Sequence, residues 1–141
     1  MEYSEKDMVL KFNSVYRELN DLYHDIALKL GISDSAFTIF YAIFRTGDGC
    51  LQRDICKQTY TNKQTINSTI QRLKDDGYLY LIQGKGRDKH IYLTDRGKEF
   101  IRDKIGPMIT AEDEAFLMLS IEEQKQFFLF FQNMLNLSAK K

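Results

Sequence analysis

The sequence has few of the residues from which most enzyme and metal sites are built. Its 141 residues include one proline and two histidines, His24 and His90, which lie far apart in the chain. The sequence contains no nucleophile and base at the spacing of a catalytic motif, no phosphate-binding loop and no cluster of side chains at metal-ligand spacing. We therefore expect no enzymatic activity, no catalytic or metal-binding residues and no cofactor.

Long apolar runs are also missing. No apolar run approaches the length that crosses a bilayer, and residues 1–10 lack a basic region followed by an apolar one. The expected location is the cytoplasm, with no membrane partner. The apolar content of 43% is enough for one well-cored domain, and the single proline argues against a protein dominated by loops. The chain is predicted to be mostly helical.

Net charge is zero, but the two signs are unevenly distributed. Residues 51–104 carry 12 Lys and Arg against 7 Asp and Glu, residues 1–50 carry 5 against 8, and residues 105–141 carry 3 against 5. A basic middle third in an otherwise acidic chain predicts a surface that faces phosphate groups. The alternative is a chance fluctuation in a neutral protein.

A long amphipathic helix is predicted near the N-terminus. Its apolar residues recur at intervals of three and four, which places them on one stripe; they are Met8, Phe12, Val15, Leu19, Leu22, Ile26 and Leu30. Gly31 is a typical helix stop. Because one small domain cannot bury so long a helix, it is predicted to belong to a dimerisation layer, and an ordinary core helix is the alternative.

Two further helices are predicted on either side of the central region. Ser33 or Asp34 caps the first, which is apolar nearly all round and is therefore expected in the middle of the fold. Thr94 or Asp95 caps the second, which is expected to end at Gly106-Pro107.

The C-terminal region is predicted to be helical from about Thr110 to Leu137. A break is expected at Ser120, which can form a capping box with Glu123. Residues 127–131, with the sequence FFLFF, are apolar on every face of a helix. Such a helix must be covered on both sides, and a second subunit is the expected cover. The alternative is an unusually deep core within one chain.

The central region, Leu51–Thr94, predicts a helix, a turn, a second helix and a two-stranded hairpin. The first helix is expected over Gln52–Gln58, Tyr60 and Thr61 form the turn, and Asn62 or Thr61 caps the second helix. Three apolar residues at i, i+4 and i+7 define its buried face: Ile66, Ile70 and Leu73. This order is that of a winged helix-turn-helix, in which one helix enters the DNA major groove and the hairpin contacts the neighbouring backbone or minor groove.

The exposed face of the second helix is chemically suited to DNA bases. Its first three turns contain no acidic residue, and it presents Lys63, Gln64, Thr65, Asn67, Ser68 and Gln71. Amide side chains can bond adenine in bidentate fashion, and hydroxyl groups can meet either base type or a thymine methyl. Arg72 and Lys74 are predicted phosphate contacts. The acidic pair Asp75-Asp76 is expected to lie away from the DNA.

The hairpin is predicted to have strands at Tyr78–Gln83 and His90–Thr94, joined by a flexible basic tip. Arg87 is the residue expected to enter the minor groove or to clamp its phosphates. Lys85 and Lys89 are expected to contact the DNA backbone. A plain surface hairpin is the alternative, although a basic tip that follows a helix-turn-helix favours a wing.

These elements resemble the MarR family of bacterial transcriptional regulators over almost the entire chain. The segment LQRDICKQTYTNKQTINSTIQRLKDDGYL is similar to the family's paired helices, and RDKHIYLTDRGKEF is similar to its second wing strand and the LT-x-x-G turn. The resemblance implies a homodimer built from the first and last helices, with two winged helices on a pseudo-palindromic site and commonly repression of nearby genes. It also implies release from DNA by a small aromatic compound or by cysteine oxidation.

One departure from the family pattern lies in the wing. The family usually has Asp, any residue and then Arg before the second strand, and here Lys85 stands where the aspartate would be. Arg87 matches the arginine. Asp88 is the neighbouring acid that could orient Arg87 in its place.

Two kinds of switch are considered. A ligand pocket is predicted between the dimerisation layer and the DNA-binding motif, lined by His24, Phe37, Tyr41 and Arg45, although packing or surface roles also explain each of them. Oxidation of Cys50 or Cys56 could displace the first helix of the motif, but each cysteine also stands where a small buried apolar residue would serve.

The sequence thus predicts a mainly α protein with a small β-hairpin wing. Its expected parts are an N-terminal dimerisation helix (1–32), a winged helix-turn-helix (33–104) and C-terminal dimerisation helices (105–141). The predicted function is that of a homodimeric, sequence-specific regulator, a repressor that binds double-stranded DNA and is released by a small aromatic ligand. The alternatives are a cysteine-based redox sensor and a protein-interaction module such as an antirepressor, which generally loses the basic wing.

Overall fold

The computed structural model describes residues 5–59 and 61–140, and it is mainly helical with one small antiparallel sheet, as predicted. The helices are α1 (Glu5–Leu30), α2 (Asp34–Thr46), α3 (Gln52–Thr59), α4 (Lys63–Asp75), α5 (Asp95–Phe100), α6 (Gly106–Leu117) and α7 (Ile121–Ser138). The strands are β1 (Cys50–Leu51), β2 (Leu79–Gln83) and β3 (Lys89–Leu93). The predicted turn residue Tyr60 and the first four residues of the predicted N-terminal region lie outside the described residues.

Side-chain caps decide where several helices begin. Ser33 caps α2 by accepting from the backbone N–H of Ala36, and Asn62 caps α4 through its Oδ1 atom. Thr94 caps α5 in the same way. The predicted capping box at α7 is present, with the Ser120 hydroxyl accepting from the Glu123 N–H and the Glu123 carboxylate accepting from the Ser120 N–H. That backbone N–H is also the main reason why the pKa of Glu123 is lowered.

Helix α2 forms the centre of the core, as predicted. Its buried residues are Ala36, Phe37, Ile39, Phe40, Ala42 and Ile43. The Phe40 ring packs 5.5 Å from the Tyr78 ring and 4.9 Å from the Phe100 ring, so it joins α2 to the segment before the wing and to α5. The predicted buried face of α4 is confirmed, because Ile66, Ile70 and Leu73 are all buried.

The wing is part of a three-stranded sheet with the order β1-β3-β2. Strand β3 pairs with β2 along its length, from Leu79 opposite Leu93 to Gln83 opposite Lys89, and with the short strand β1 on its other edge. A side-chain bond reinforces this second edge, since the Leu93 N–H donates to Asp48 Oδ1 at 2.8 Å. The wing is therefore attached to the body of the protein rather than projecting from it alone.

Gly97 explains the LT-x-x-G turn that follows the wing. The Thr94 hydroxyl donates to the Gly77 carbonyl at 2.6 Å and accepts from the Gly97 N–H at 3.1 Å. A Cβ atom at position 97 would collide with the carbonyl oxygen of Tyr78. The turn therefore needs a residue without a side chain, because the backbone of α5 passes directly over the backbone before β2.

The expected helix end at Gly106-Pro107 is wrong. Helix α5 is followed by a π-helical turn at Ile101–Ile105, and helical structure resumes at Gly106 as α6. Pro107 lies in the first turn of α6, where its missing N–H matters least. The π-helix is rare and occurs mostly as a single turn within an α-helix, and here it ends two residues before the proline. Gly106-Pro107 therefore does not end the helical region, because the chain passes through a π-helical turn and continues as α6.

The chain forms two compact units, of which the first ends at Ile105 and the second begins at Gly106. In the first unit, Ala27 is the one described residue of α1 that is buried, and the exposed part of the predicted stripe includes Met8, Val15, Leu19 and Leu22. In the second unit no residue of α7 is buried. The dimerisation layer, an ordinary core helix for α1 and a deep core for residues 127–131 all stay predictions.

No single helix in the described residues is both long and apolar enough to cross a bilayer. Residues 6–30 and 34–46 meet the length and composition limits only as a pair, and the two segments are bent by 96°.

Candidate nucleic-acid interface

Helix α4 presents the side chains that the sequence assigned to DNA. Its buried residues follow one stripe, and the opposite side carries Lys63, Gln64, Thr65, Asn67, Ser68, Gln71, Arg72 and Lys74, all of them exposed. The Ser68 hydroxyl donates to the Gln64 carbonyl at 2.8 Å, which leaves its oxygen free to accept. Because its side chains are exposed, a ligand can reach this face of α4.

A groove of about 410 Å³ lies between α3, α4 and the wing. Its lining residues are Gln52, Arg53, Cys56, Lys63, Asn67, Ile70, Gln71, Leu81, Arg87, Asp88 and Lys89. Five of the predicted DNA contacts are thus brought together there, from two elements that are separate in the chain. Four cationic side chains and one carboxylate give the groove a positive charge. The remaining predicted contacts lie on the exposed surface outside it.

Arg53 lines the groove but was not among the DNA contacts predicted from the sequence. The Arg53 guanidinium lies 3.3 Å from the Asp88 carboxylate, which joins the start of α3 to the tip of the wing. The expectation that Asp88 orients Arg87 is therefore wrong, because that carboxylate is directed at Arg53. Arg53 could have been predicted from its position in the first turn of α3, on the side nearest the wing.

Gln52 also lines the groove without having been predicted as a DNA contact. Its Nε2 atom donates a hydrogen bond to Oδ1 of Asn67, which links the first residue of α3 to the middle of the exposed face of α4. Sequence reasoning assigned Asn67 to base recognition and treated Gln52 only as the start of a helix. The contact spans 15 residues of sequence and follows from how the two helices pack.

The wing tip is an ordered turn, although two glycines suggested flexibility. The Gly84 N–H donates to the Asp88 carbonyl at 2.8 Å, and the Gln83 side chain donates to the carbonyls of Gly86 at 2.7 Å and Asp88 at 3.2 Å. Gly86 has a φ of 59°, a left-handed conformation that favours glycine. Arg87 is exposed at this tip, so a well-defined turn directs a cationic side chain outward.

A hydrogen bond links the acidic end of α4 to its exposed face. Gln71 Nε2 donates to Asp75 Oδ1 at 3.0 Å, so the two side chains share one side of the helix, as a spacing of four residues predicts. That Asp75 and Asp76 lie away from the DNA stays a prediction.

The four residues assigned to a ligand pocket take part in three separate local contacts. His24 Nδ1 lies 2.9 Å from the Asp34 carboxylate, and Phe37 is buried with its ring 6.3 Å from that of Tyr23. Arg45 Nε donates to the Tyr41 hydroxyl at 3.3 Å, and its guanidinium lies 5.3 Å from the Tyr41 ring centre. Neither the groove nor a shallow depression along α1 is lined by any of the four, and the pocket stays a prediction.

Both cysteines are free thiols. Burial is the main reason why the pKa of the Cys50 thiol is raised, and the nearby carboxylates of Asp48 and Asp54 raise it further, against the effect of a backbone hydrogen bond. Cys50 is therefore poorly suited to form the reactive thiolate. Cys56 lines the groove. Among the described residues, no three His, Cys, Asp or Glu side chains gather as a metal site would require.

Comparison with known proteins agrees with this architecture. Residues 30–88 match the model of the MarR family. A MarR family regulator from Neisseria meningitidis superposes with a TM-score of 0.75 at 15% identity, covering 94% of each chain. Staphylococcus aureus MepR, in a complex with DNA, superposes with a TM-score of 0.66 at 20% identity and covers 99% of this chain and 100% of its own. A MarR transcriptional regulator from Methanosarcina mazei superposes with a TM-score of 0.63 at 20% identity, covering 98% and 93%.

No curated protein matches the chain by sequence. The structural likeness extends over nearly the whole chain and establishes the fold, while the family match covers the segment that contains α2, α3, α4 and most of the wing. Together with the helix-turn-helix, the wing and the LT-x-x-G turn, these findings show a winged-helix fold like that of MarR family regulators, and residues 30–88 match the model of that family.

Proposed function

We propose that this protein is a homodimeric transcriptional repressor that binds a pseudo-palindromic operator and leaves it when a small aromatic ligand binds. The groove between α3, α4 and the wing is the single observation that carries the DNA-binding part of the proposal. It unites a face that can read bases with cations that can hold phosphates.

The two kinds of side chain in the groove have different tasks. Asn67 and Gln71 carry amides that can bond base edges in the major groove, where each base pair shows a distinct pattern of donors and acceptors. Lys63, Arg87 and Lys89 line the same groove as exposed cations. They would neutralise phosphates, which supplies affinity and orientation without sequence preference.

Two copies are proposed because each compact unit leaves a large apolar surface uncovered. Leu19 and Leu22 on α1 are 43% and 52% exposed, and Phe128 and Leu135 on α7 are 54% and 71% exposed. Contiguous apolar surface of this kind is characteristic of subunit interfaces. A dimer would present two copies of α4, and a two-fold protein requires a DNA site of matching symmetry.

Repression and ligand release rest on the family resemblance more than on geometry. Staphylococcus aureus MepR is described as a transcription regulator of a multidrug efflux pump, which fits a regulator that responds to small molecules. In this chain the ligand would meet the pair formed by Tyr41 and Arg45, which offers an aromatic face beside a cation. Binding there would act through α2, which packs against both α3 and α4.

A protein-interaction module is less compatible with the groove. Such a protein has no need for a basic wing, whereas Arg87 and Lys89 are both retained at the wing and both line the groove. Likewise, the raised pKa of Cys50 makes this thiol a poor redox sensor.

The test is selection of bound duplexes from a random pool, with and without a panel of aromatic carboxylates and phenols. We expect an enriched inverted repeat whose half-sites lie about one helical turn apart, and loss of enrichment with at least one compound. Binding of the selected duplex should weaken steeply as salt rises. Flat salt dependence, or no enriched sequence, would overturn the DNA-binding proposal, and enrichment that no compound changes would overturn ligand release.

A further inference from the structure

We propose that Gln52 is a positioning residue that fixes which edge of the Asn67 side chain faces a DNA base. The inference rests on the proposed DNA-binding function and deepens it, because it makes one base preference depend on α3 as well as on the reading helix α4.

An isolated Asn side chain can present either edge to a ligand. Its amide has an acceptor oxygen and a donor NH2 group, and rotation about the last side-chain bond exchanges them at little cost. Asn67 is exposed on α4 and lines the groove. Without a partner it would therefore adapt to bases with different hydrogen-bond patterns.

Gln52 removes this freedom. Its side chain donates to Asn67 Oδ1, so the oxygen is turned toward α3 and the Nδ2 atom is left to face the rest of the groove. Gln52 is itself well held, because it is the first residue of α3 and directly follows Leu51, which pairs with His90 in the sheet. Its side chain is partly buried, whereas Asn67 is exposed.

The consequence is a directional preference. With its NH2 group outward, Asn67 offers donors to the major groove. Guanine presents two acceptors there, N7 and O6, while adenine presents one acceptor and one donor. The Gln52 contact therefore favours guanine at the contacted position and works against the bidentate pairing of Asn with adenine.

The experiment compares base preference among variants of the full-length protein. Duplex selection would be repeated with Gln52→Met, which keeps the length of the side chain and removes its donor, with Asn67→Ala, and with the double variant. Gln52→Lys restores a donor, and Gln58→Met is the matched control. Gln58 lies on the same helix, but its side chain bonds Thr46 and does not line the groove. Thermal unfolding monitored by circular dichroism would verify that each variant is folded.

We expect wild-type protein to prefer guanine at one position of each half-site by about tenfold, the size of a good base contact. Asn67→Ala should abolish that preference, Gln52→Met should reduce it at least several-fold while leaving the other positions unchanged, and the double variant should equal Asn67→Ala. Gln52→Lys should retain the preference, and Gln58→Met should behave as wild type.

Three outcomes would overturn the inference while leaving DNA binding intact: an unchanged preference in Gln52→Met, additive effects in the double variant, or a wild-type preference for a donor base at the position that Asn67 controls. Failure of the wild-type protein to enrich any duplex would instead contradict the proposed function. The two failures are therefore distinguishable in one set of selections.

Discussion

The carboxylate of Asp88 at the wing tip forms an ion pair with the guanidinium of Arg53, in the first turn of α3, at a distance of 3.3 Å. The two residues are 35 positions apart in the sequence, so the contact exists only because the sheet brings the wing beside the helix-turn-helix. It has two effects on the groove. It restrains the wing tip, and it neutralises one of the four cations that line the surface.

Removing the acid should therefore strengthen non-specific DNA binding. We expect Asp88→Asn to raise affinity for mixed duplex DNA several-fold and to steepen its salt dependence by about one counterion, because Arg53 becomes free to meet a phosphate. The unfolding free energy should change little, since a partly exposed ion pair contributes about 0 to 1 kcal/mol. Fluorescence anisotropy over a range of salt concentrations measures both quantities. Asp103→Asn is the control, because it removes an acid from the Arg102 pair, which does not line the groove. Equal effects of the two substitutions would contradict the prediction.

Arg87 should contribute affinity more than selectivity. We expect Arg87→Ala to weaken binding to nearly all duplexes by about tenfold and to reduce the salt slope by about one, since it deletes one phosphate or minor-groove contact. Lys98→Ala, on the exposed side of α5, should have a smaller effect. The same anisotropy titrations apply. A changed base preference with unchanged salt slope would show that Arg87 reads sequence instead.

The exposed stripe of α1 should be needed for the dimer. We expect Leu19→Glu to shift the protein toward monomer and to lower operator affinity, because a buried carboxylate without a partner is strongly unfavourable in an interface. Asn13→Glu adds the same charge on the other side of α1 and should leave the dimer intact. Sedimentation velocity distinguishes the two species. A dimer that survives Leu19→Glu at micromolar concentration would place the interface elsewhere.

Gly97 should be among the positions least tolerant of substitution. We expect Gly97→Ala to lower the unfolding free energy by about 2 kcal/mol or more, because the new methyl group collides with the Tyr78 carbonyl and the backbone must move. Gly86→Ala has open space around it, so its cost should be limited to about 1 kcal/mol from the left-handed conformation. Urea denaturation gives both values. Similar losses for the two variants would contradict the steric explanation of the LT-x-x-G turn.

Cys50 should be a slow thiol at neutral pH. In a Cys56→Ser variant, we expect the remaining thiol to react with a disulfide reagent more slowly than free glutathione does at about pH 7.5. The rate should rise as pH increases, because the raised pKa keeps the group in its unreactive neutral form at lower pH. Absorbance of the released thiolate follows the reaction, and the Cys50→Ser variant reports Cys56 for comparison. A rate equal to that of glutathione would contradict the assignment.

Much of the fold was predictable because it depends on short-range regularities. Helix periodicity located the buried face of α4, and its residues Ile66, Ile70 and Leu73 are buried as expected. Capping chemistry acts within three or four residues, so it indicated the start of α7 at Ser120 and narrowed the starts of α2, α4 and α5 to two candidates each. The residues of α4 that lie outside this buried stripe could then be assigned to its exposed face.

The sequence by itself therefore predicted the mainly helical winged-helix fold and the set of side chains on the exposed face of α4. Only the tertiary structure decided which side chains are in contact with one another. The contacts of Asn67 with Gln52 and of Asp88 with Arg53 join elements whose sequences carry no signal for one another. The π-helical turn before Gly106 is also a tertiary outcome, since the local stop signal predicted a helix end. Periodicity and capping are read along a few residues of chain, whereas the groove depends on the packing of α3, α4 and the wing around α2.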